Sequence, residues 1–250
     1  PKLGKGREVN TLGTALREMR TALEGRRYVE QYTQMLTHEL KSPLAAISGA
    51  AELLDEDMPV EQRRKFLDNI RRESTRSTKI IDGLLKLSQL ESQSQLLQKS
   101  SVDLQKIIIS ASDSLKPRLN TKGINLEVSS SADHTITGDA MMLETALTNL
   151  LENAIQFSPD NGTISIETSK SDSQLILSVT DQGPGIPDYA KDRVFERFYS
   201  HHPDNNERRK GSGLGLVFVQ EVAKLHNGNV TLENGSKGSA VATITLPKSS

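Results

Sequence analysis

Apolar residues in the first quarter of the chain recur on an alternating four-three spacing. Leu12, Leu16, Met19 and Leu23, then Leu40, Leu44, Ile47, Ala51 and Leu54, share one seam, the pattern of a helix packed in a coiled coil. The spacing predicts one helix running to about Asp55. Between the two stretches the seam is polar, at Arg26, Glu30, Thr33 and Thr37. Two readings fit that gap: a joint at which a bundle shifts, or a loose stretch with Val29 and Leu36 on a displaced stripe. Met58-Pro59 breaks the pattern, and Phe66, Ile70, Ile80, Leu84 and Leu87 then predict a second helix to about Ser92. Two helices cannot cover both stripes by themselves. Burial therefore predicts a homodimer in which two hairpins form a four-helix bundle.

The stretch from Gln93 to Ser101 is polar and serine-rich, as a linker is. Beyond it the period changes. A helix is predicted from Leu104 to Leu119, strands at Ile124 to Val128 and His134 to Thr137, and a helix from Ala140 to Phe157. A hairpin follows at Thr163 to Thr168 and Leu175 to Thr180, then irregular glycine-rich sequence, a helix at Leu214 to Leu225, and strands at Asn229 to Glu233 and Ala240 to Leu246. Strands covered by helices on one face make an α+β sandwich. The expected fold is thus α+β, a helical-hairpin dimerisation domain followed by an α/β sandwich. The expected division is 1–27, 28–92, a linker at 93–101, and 102–250.

Composition narrows the choices. The chain has 250 residues, enough for two modest domains, and 25% of them are charged, as in ordinary globular proteins. A net charge of -1 gives no bulk attraction for nucleic acid or an anionic membrane, so neither is expected as a partner. The absence of cysteine excludes disulfides and thiolate metal sites. No run approaches the ~18 apolar residues that span a bilayer. The chain begins at Pro1 rather than methionine, which points to a segment of a longer protein with any membrane span upstream.

Four blocks bear chemistry. In His38-Glu39-Leu40-Lys41-Ser42-Pro43, His38 lies on the outer helix face with Lys41, Ser42, Ala45, Gly49 and Glu52. A neutral imidazole there can attack phosphorus through one nitrogen while an acceptor holds the proton of the other. Glu39 is the obvious acceptor, although helix neighbours face each other only through a long side chain. Alone, such a pair is ordinary helix surface. A zinc-protease reading fails, because Ser42 stands where a second histidine is required. Pro43 reads as a helix kink.

Asn149 and Asn153, four apart, share the polar face of an otherwise apolar helix, and amide oxygens suit Mg²⁺ alongside phosphate and water. Asp181-Gln182-Gly183-Pro184-Gly185-Ile186 follows a strand, placing a carboxylate where it can accept from an exocyclic amine such as that of adenine; a plain turn would use the same residues. Gly211-Ser212-Gly213-Leu214-Gly215-Leu216 opens a helix, whose free amides stabilise phosphate. It is neither a P-loop nor a dinucleotide fingerprint, since Lys210 precedes the glycines. Between these blocks, Phe195 to Tyr199 and the polar run His201 to Lys210 read as a mobile lid, with solvated residues favoured over a metal site at His201-His202.

Each block is weak alone, but their order and separation resemble the sensor histidine kinases of two-component systems over nearly the whole chain. The resemblance comprises a phosphoacceptor motif on a dimerising hairpin, then asparagine, first-glycine, phenylalanine and second-glycine boxes in an ATP domain of the gyrase and heat-shock-90 type. Residues 1–27 resemble the last helix of a HAMP relay module. Within the family, Ile186-Pro187-Asp188-Tyr189-Ala190 and Phe195-Glu196-Arg197-Phe198-Tyr199-Ser200 resemble the CreC-type members.

The resemblance implies an ATP- and Mg²⁺-dependent enzyme that phosphorylates His38 with Glu39 as acid/base partner. The phosphoryl group would pass to an aspartate of a response-regulator receiver domain. It further implies that Asn153 coordinates Mg²⁺ with Asn149 nearby, that Phe157 packs by the adenine, and that Asp181 binds its amine with Gly183, Gly185 and Ile186 around the ring. Lys210, Gly211, Ser212, Gly213, Leu214 and Gly215 would hold lid and phosphates. Ser42 occupies the position tied to phosphatase activity, where its hydroxyl could orient water. The implied location is the cytoplasmic portion of an inner-membrane sensor. Two residues depart from the family pattern, Gln156 for a basic residue and Ser200 for an arginine near the γ-phosphate. Arg197, Arg208, Arg209 or Lys210 would then have to compensate. These departures keep open a scaffold that binds its regulator without efficient chemistry, and a GHKL-type ATPase clamp is the other alternative.

Overall fold

The computed structural model describes residues 33–54, 57–93, 95–130, 135–171, 173–200, 211–235 and 238–248. The predicted signalling helix at 1–27, the seam positions Arg26 and Glu30, and the lid from His201 to Lys210 with its Arg208 and Arg209 lie outside the described residues. The chain forms two compact units, 1–78 and 79–250.

In the first unit, helix α1 is described over residues 33–53 and runs unbroken through Pro43, so the expected kink is not a break. Helix α2, Val60–Glu91, begins one residue after Pro59, where a proline's missing N–H costs no helix bond. The covered stripe of α1 lies slightly off the predicted seam. Pro43 and Ala50 are buried and Leu40, Ala46 and Ile47 half-buried, whereas Leu44 and Ala51 are exposed. The apolar band is thus wider than one helix can cover. On α2 the stripe contains Phe66, Ile70, Glu73, Arg76 and Ser77 within this unit, so two of its heptad positions, Glu73 and Ser77, are polar.

The second unit takes in the end of α2 and then a strand that the sequence did not predict. Residues Ser100–Asp103 (β1), which straddle the end of the expected linker at Ser101, pair antiparallel with β3, Thr135–Gly138. Asp103 then caps α3, Leu104–Lys122, by accepting from the Gln105 N–H at 2.9 Å, and Gly123 ends that helix at φ 65°. Strand β2, Asn125–Ser130, leads through β3 to α4, Ala140–Phe157, the predicted range. The remaining elements are β4 Thr163–Lys170, β5 Gln174–Thr180, a short α5 Asp188–Lys191, α6 Gly215–Leu225, β6 Asn229–Asn234 and β7 Ala240–Pro247.

Five strands form one mixed sheet in the order β2-β4-β5-β7-β6, with β2 parallel to β4 and the other neighbours antiparallel. Period-two alternation decides its faces. Ile164, Ile166, Leu175, Leu177, Val179, Ala242, Ile244 and Leu246 point into the core, while Ser178 and Thr243 face the other way and share a hydrogen bond at 3.2 Å. Leu147, Leu150 and Leu151 of α4 and Val219 and Val222 of α6 complete that core. Residue Asp139 fixes the start of α4, its Oδ1 accepting from the N–H groups of Met141 at 3.0 Å and Met142 at 3.1 Å.

Candidate functional site

In the first unit, α1 presents His38 to solvent, with its side chain 86% exposed. Lys41, Ser42, Ala45 and Glu52 are exposed along the same face. Glu39 Oε1 lies 3.9 Å from His38 Nδ1, near the ring but outside hydrogen-bond distance. The exposed imidazole keeps Nε2 on the side away from that carboxylate.

In the second unit, the nucleotide blocks converge on the polar face of α4. Asn149 and Asn153 are half-buried there, and Asn149 Nδ2 donates to the Thr145 carbonyl at 3.0 Å. Its Oδ1 is turned to the second glycine box, where a Cβ built on Gly215 would stand 3.1 Å from it. Gly211 lies over Gln156, whose Oε1 is 3.7 Å from the equivalent position. Gly213 takes φ 65°, and a Cβ there would meet the Phe198 backbone at 2.5 Å, so this contact between the phenylalanine and second-glycine boxes requires glycine. Phe198 itself adopts φ 61° and donates its N–H to the Gly213 carbonyl at 3.0 Å. Leu214 is buried, and no side chain caps the α6 N-terminus that follows.

The first-glycine box meets the last residue of α4. Gly183 abuts the Phe157 carbonyl, 2.8 Å from where a Cβ would be. Asp181, at the end of β5, is buried, and its Oδ1 accepts from the N–H groups of Gly183 at 2.8 Å and Ala240 at 3.1 Å. Burial pushes this carboxyl up from its ordinary range, and the two amide donors pull it partly back. Oδ2 is left for an outside donor. Ile186 is held by Asn234 of β6, Oδ1 accepting its N–H at 2.7 Å and Nδ2 donating to its carbonyl at 2.8 Å.

Sequence reasoning missed two residues of this site, Asn234 and Lys122. Lys122 Nζ, on the last turn of α3, donates to the carbonyls of Ile155 at 2.7 Å, Ser158 at 2.9 Å and Gln156 at 3.2 Å, neutralising the α4 C-terminus beside Phe157. Both act across the tertiary structure on backbone groups, so neither belongs to a local motif. Of the residues invoked to compensate for Ser200, only Arg197 is described. It pairs with Glu91 at the end of α2. Burial lowers Arg197 from its ordinary range, against the raising effect of Glu221. Lys210 lies outside the described residues.

The arrangement suits a nucleotide with its base at Asp181 and its phosphates at Gly211 to Gly215. Among the described residues no three His, Cys, Asp or Glu side chains gather as a metal site. An ion at this face would accordingly draw on amide oxygens and phosphates, a set that fits Mg²⁺.

Comparison with known proteins decides the family. The model for the "His Kinase A (phospho-acceptor) domain" matches residues 28–93, and that for the "Histidine kinase-, DNA gyrase B-, and HSP90-like ATPase" matches residues 138–250. The sensor protein CreC of Escherichia coli K12 is 43% identical over 246 residues, covering 98% of this chain and 51% of that protein. The chain belongs to the sensor histidine kinases. A solved structure of the mycobacterial sensor histidine kinase MprB is 30% identical with a TM-score of 0.53, covering 60% of this chain and 97% of that one. The histidine kinase ThkA, solved in complex with the response regulator protein TrrA, shares the fold at a TM-score of 0.75 and 22% identity, over 94% of this chain and 66% of that one. The chain spans about half the length of the curated histidine kinases it matches, 51% of CreC and 41% of the sensor protein ChvG of Rhizobium meliloti. The ATP-binding domain of the family implies use of ATP, and the resemblance to CreC-type members read from Ile186 to Ala190 and Phe195 to Ser200 agrees with the CreC match.

Proposed function

We propose that this chain is the kinase portion of a two-component sensor, transferring the γ-phosphoryl group of ATP to His38 and then to an aspartate of a response-regulator receiver domain. The observation that carries the proposal is the convergence of both glycine boxes on the α4 face bearing Asn149 and Asn153. In the first step the bond from the γ-phosphorus to the β–γ bridging oxygen breaks as one to His38 Nε2 forms, and ADP leaves. Glu39, beside Nδ1, holds and then takes the ring proton. In the second step the N–P bond breaks and an aspartate oxygen of the regulator receives the phosphoryl group.

Asp181 would accept from the adenine amine, Phe157 would pack beside the ring, and Gly183, Gly185 and Ile186 would bring backbone up to it. Residues Lys210, Gly211, Ser212, Gly213, Leu214 and Gly215 would cradle the phosphates, with the α6 N-terminus supplying free amides. Asn153, with Asn149 nearby, would supply amide oxygen to Mg²⁺, which when bound neutralises phosphate charge. Ser42 would orient water for dephosphorylation of the regulator.

A homodimer is supported by Leu44, Leu53 and Leu67, which the first unit leaves exposed on its helices. The proposed division is 1–27 as a signalling helix, 28–92 for dimerisation and phosphotransfer, 93–101 as the linker and 102–250 for ATP binding. It is supported by the two matched family domains, although the whole of that linker and the end of α2 fall in the second compact unit. No helix among the described residues is long and apolar enough to cross a membrane. A place on the cytoplasmic side of a membrane sensor accords with relatives named as sensors that are about twice as long.

The test is incubation with γ-labelled Mg-ATP of the native chain and His38→Gln, checking for acid-labile, alkali-stable label. Label that requires His38 is the expected result. Nucleotide binding without label would favour the scaffold reading to which Gln156 and Ser200 point, and hydrolysis without phosphohistidine would favour an ATPase clamp.

A further inference from the structure

The heptad pattern of α2 loses its apolar residues at two successive positions, Glu73 and Ser77, between Ile70 and Ile80. The structure shows what fills that gap. Arg76, 20% exposed, stands between two carboxylates: Nη1 is 3.8 Å from Glu73 Oε2 on its own helix, and Nη2 is 3.6 Å from Glu39 Oε2 on α1. Glu73 is itself held by Arg72, whose Nε donates to Oε1 at 3.2 Å and whose Nη2 donates to Asn69 Oδ1. The other oxygen of Glu39 faces His38 Nδ1. A line of charge therefore runs from the half-exposed Arg72 on α2 through a covered layer to the exposed imidazole, in the order Arg72, Glu73, Arg76, Glu39, His38.

We propose that Arg76 is a positioning residue for the chemistry at His38, holding the Glu39 carboxylate against the imidazole. Two observations set this apart from an ordinary surface ion pair, which contributes little. The side chains of Glu73 and Glu39 are 13% and 27% exposed, so the layer is largely covered. Arg76 Nε is also buried without a hydrogen-bond partner, a cost that an apolar residue at this level would avoid. A neighbour in sequence on one helix does not naturally point at His38, and a free glutamate samples several rotamers. The arginine fork removes that freedom. It engages Oε2 and so leaves Oε1 as the oxygen that meets Nδ1, pre-organising the proton acceptor before phosphoryl transfer.

This inference rests on the proposed phosphorylation of His38, and the experiment separates the two. The full chain, Arg76→Gln, Arg76→Lys, Glu39→Gln and the double variant Glu39→Gln/Arg76→Gln are compared for initial rate of His38 labelling across Mg-ATP concentrations. Melting temperature and dimer mass serve as controls of folding. Positioned acid/base groups contribute about 10²–10⁴-fold, so loosening one predicts that Arg76→Gln lowers kcat by about tenfold with KM for Mg-ATP within about twofold. The lysine variant keeps the charge and recovers most of the rate, and Arg76→Gln subtracts nothing further from Glu39→Gln. Wild-type rates in Arg76→Gln, a lysine variant as poor as the glutamine one, or an equal loss in the Glu39→Gln background would each overturn the proposal. If the native chain takes no label, the reading of His38 falls and takes this inference with it.

Discussion

Asn234 at the end of β6 satisfies both backbone hydrogen-bonding groups of Ile186, accepting from its N–H at 2.7 Å and donating to its carbonyl at 2.8 Å. The side chain thus substitutes for a strand partner on a loop that has none. Next to it, Gly185 takes φ 73°, and a Cβ there would stand 2.7 Å from Asn234 Oδ1 and 2.3 Å from the Gly238 carbonyl. The loop proposed to face adenine is therefore tied down by one side-chain amide. Asn234→Ala frees both Ile186 groups, and losing two such bonds at about 1 kcal/mol each predicts nucleotide binding weakened by at least about tenfold. Titration calorimetry with a non-hydrolysable ATP analogue measures it. Unchanged affinity with an intact fold would show that the loop is held by other means.

Asp181 is a buried carboxylate that the proposed reading assigns to adenine. Burial raises its carboxyl, so the charged form is disfavoured in the folded chain relative to the unfolded one. For an acid whose folded value is raised, the stabilising contribution is present at low pH and is lost as pH rises through that value. The ionised form of Asp181 is therefore disfavoured by its burial in the apo fold. Asp181→Asn keeps an oxygen for the Gly183 and Ala240 amides and removes the charge. The expected outcome is a higher melting temperature for the apo chain, together with ATP affinity reduced by about tenfold or more. A variant that binds ATP like the native chain would remove Asp181 from adenine recognition.

His226 ties the end of α6 to the start of α4. It is buried, its Nδ1–H donates to the Val222 carbonyl at 2.7 Å, and Nε2 accepts from the Asp139 N–H at 3.0 Å. Both roles require the neutral ring. Burial lowers its proton affinity, opposed by the Val222 carbonyl and Asp139 and assisted by Lys99. The unfolded state therefore binds a proton more readily, and stability is lost as pH falls below the ordinary histidine range of about 6.5. His226→Ala should cost about 2–4 kcal/mol near neutral pH, from the cavity and the unpaired Asp139 amide, and should flatten the pH dependence of melting. Denaturant unfolding between pH 5 and 8, with His226→Ala as reference, measures both effects. A native profile that stays flat down to pH 5 would contradict the assignment.

What the sequence made legible follows from where the determining forces act. The range of α4 was read without error because its cap, Asp139, and its apolar stripe are local features. The sheet strands were read to within a few residues from their alternation. By contrast, β1 carries one buried apolar residue, Val102, in a serine-rich stretch, and exists through its pairing with β3. A four-residue strand of that kind is set by tertiary contact rather than propensity. The clamp by Asn234 and the cap by Lys122 escaped for the same reason, since each reaches a backbone remote in sequence. The polar layer at Glu73 and Arg76 left a trace, two missing apolar heptad positions. Reading it needed the opposing helix to show that a charge pair fills the gap.

The apolar band of α1 is broader than its own hairpin can use, which leads to a last prediction. Leu44 is 55% exposed although it sits on the predicted seam, and Leu53 and Leu67 remain 42% and 44% exposed. A single copy leaves these side chains in water, whereas a second hairpin would cover them, with about 1.5–3 kcal/mol gained for each leucine that becomes fully buried. Because a twofold interface uses each residue twice, changing Leu44 and Leu67 together to glutamate removes four apolar contributions and adds four charges that must be desolvated. The expected outcome is a dimer dissociation constant raised by more than about a hundredfold, since ~2.7 kcal/mol already corresponds to that factor. Sedimentation velocity over a dilution series reads it directly. Nucleotide affinity should be unchanged, because the residues of the proposed ATP site belong to the second unit. Persistence of a tight dimer would move the interface off this face of the hairpin.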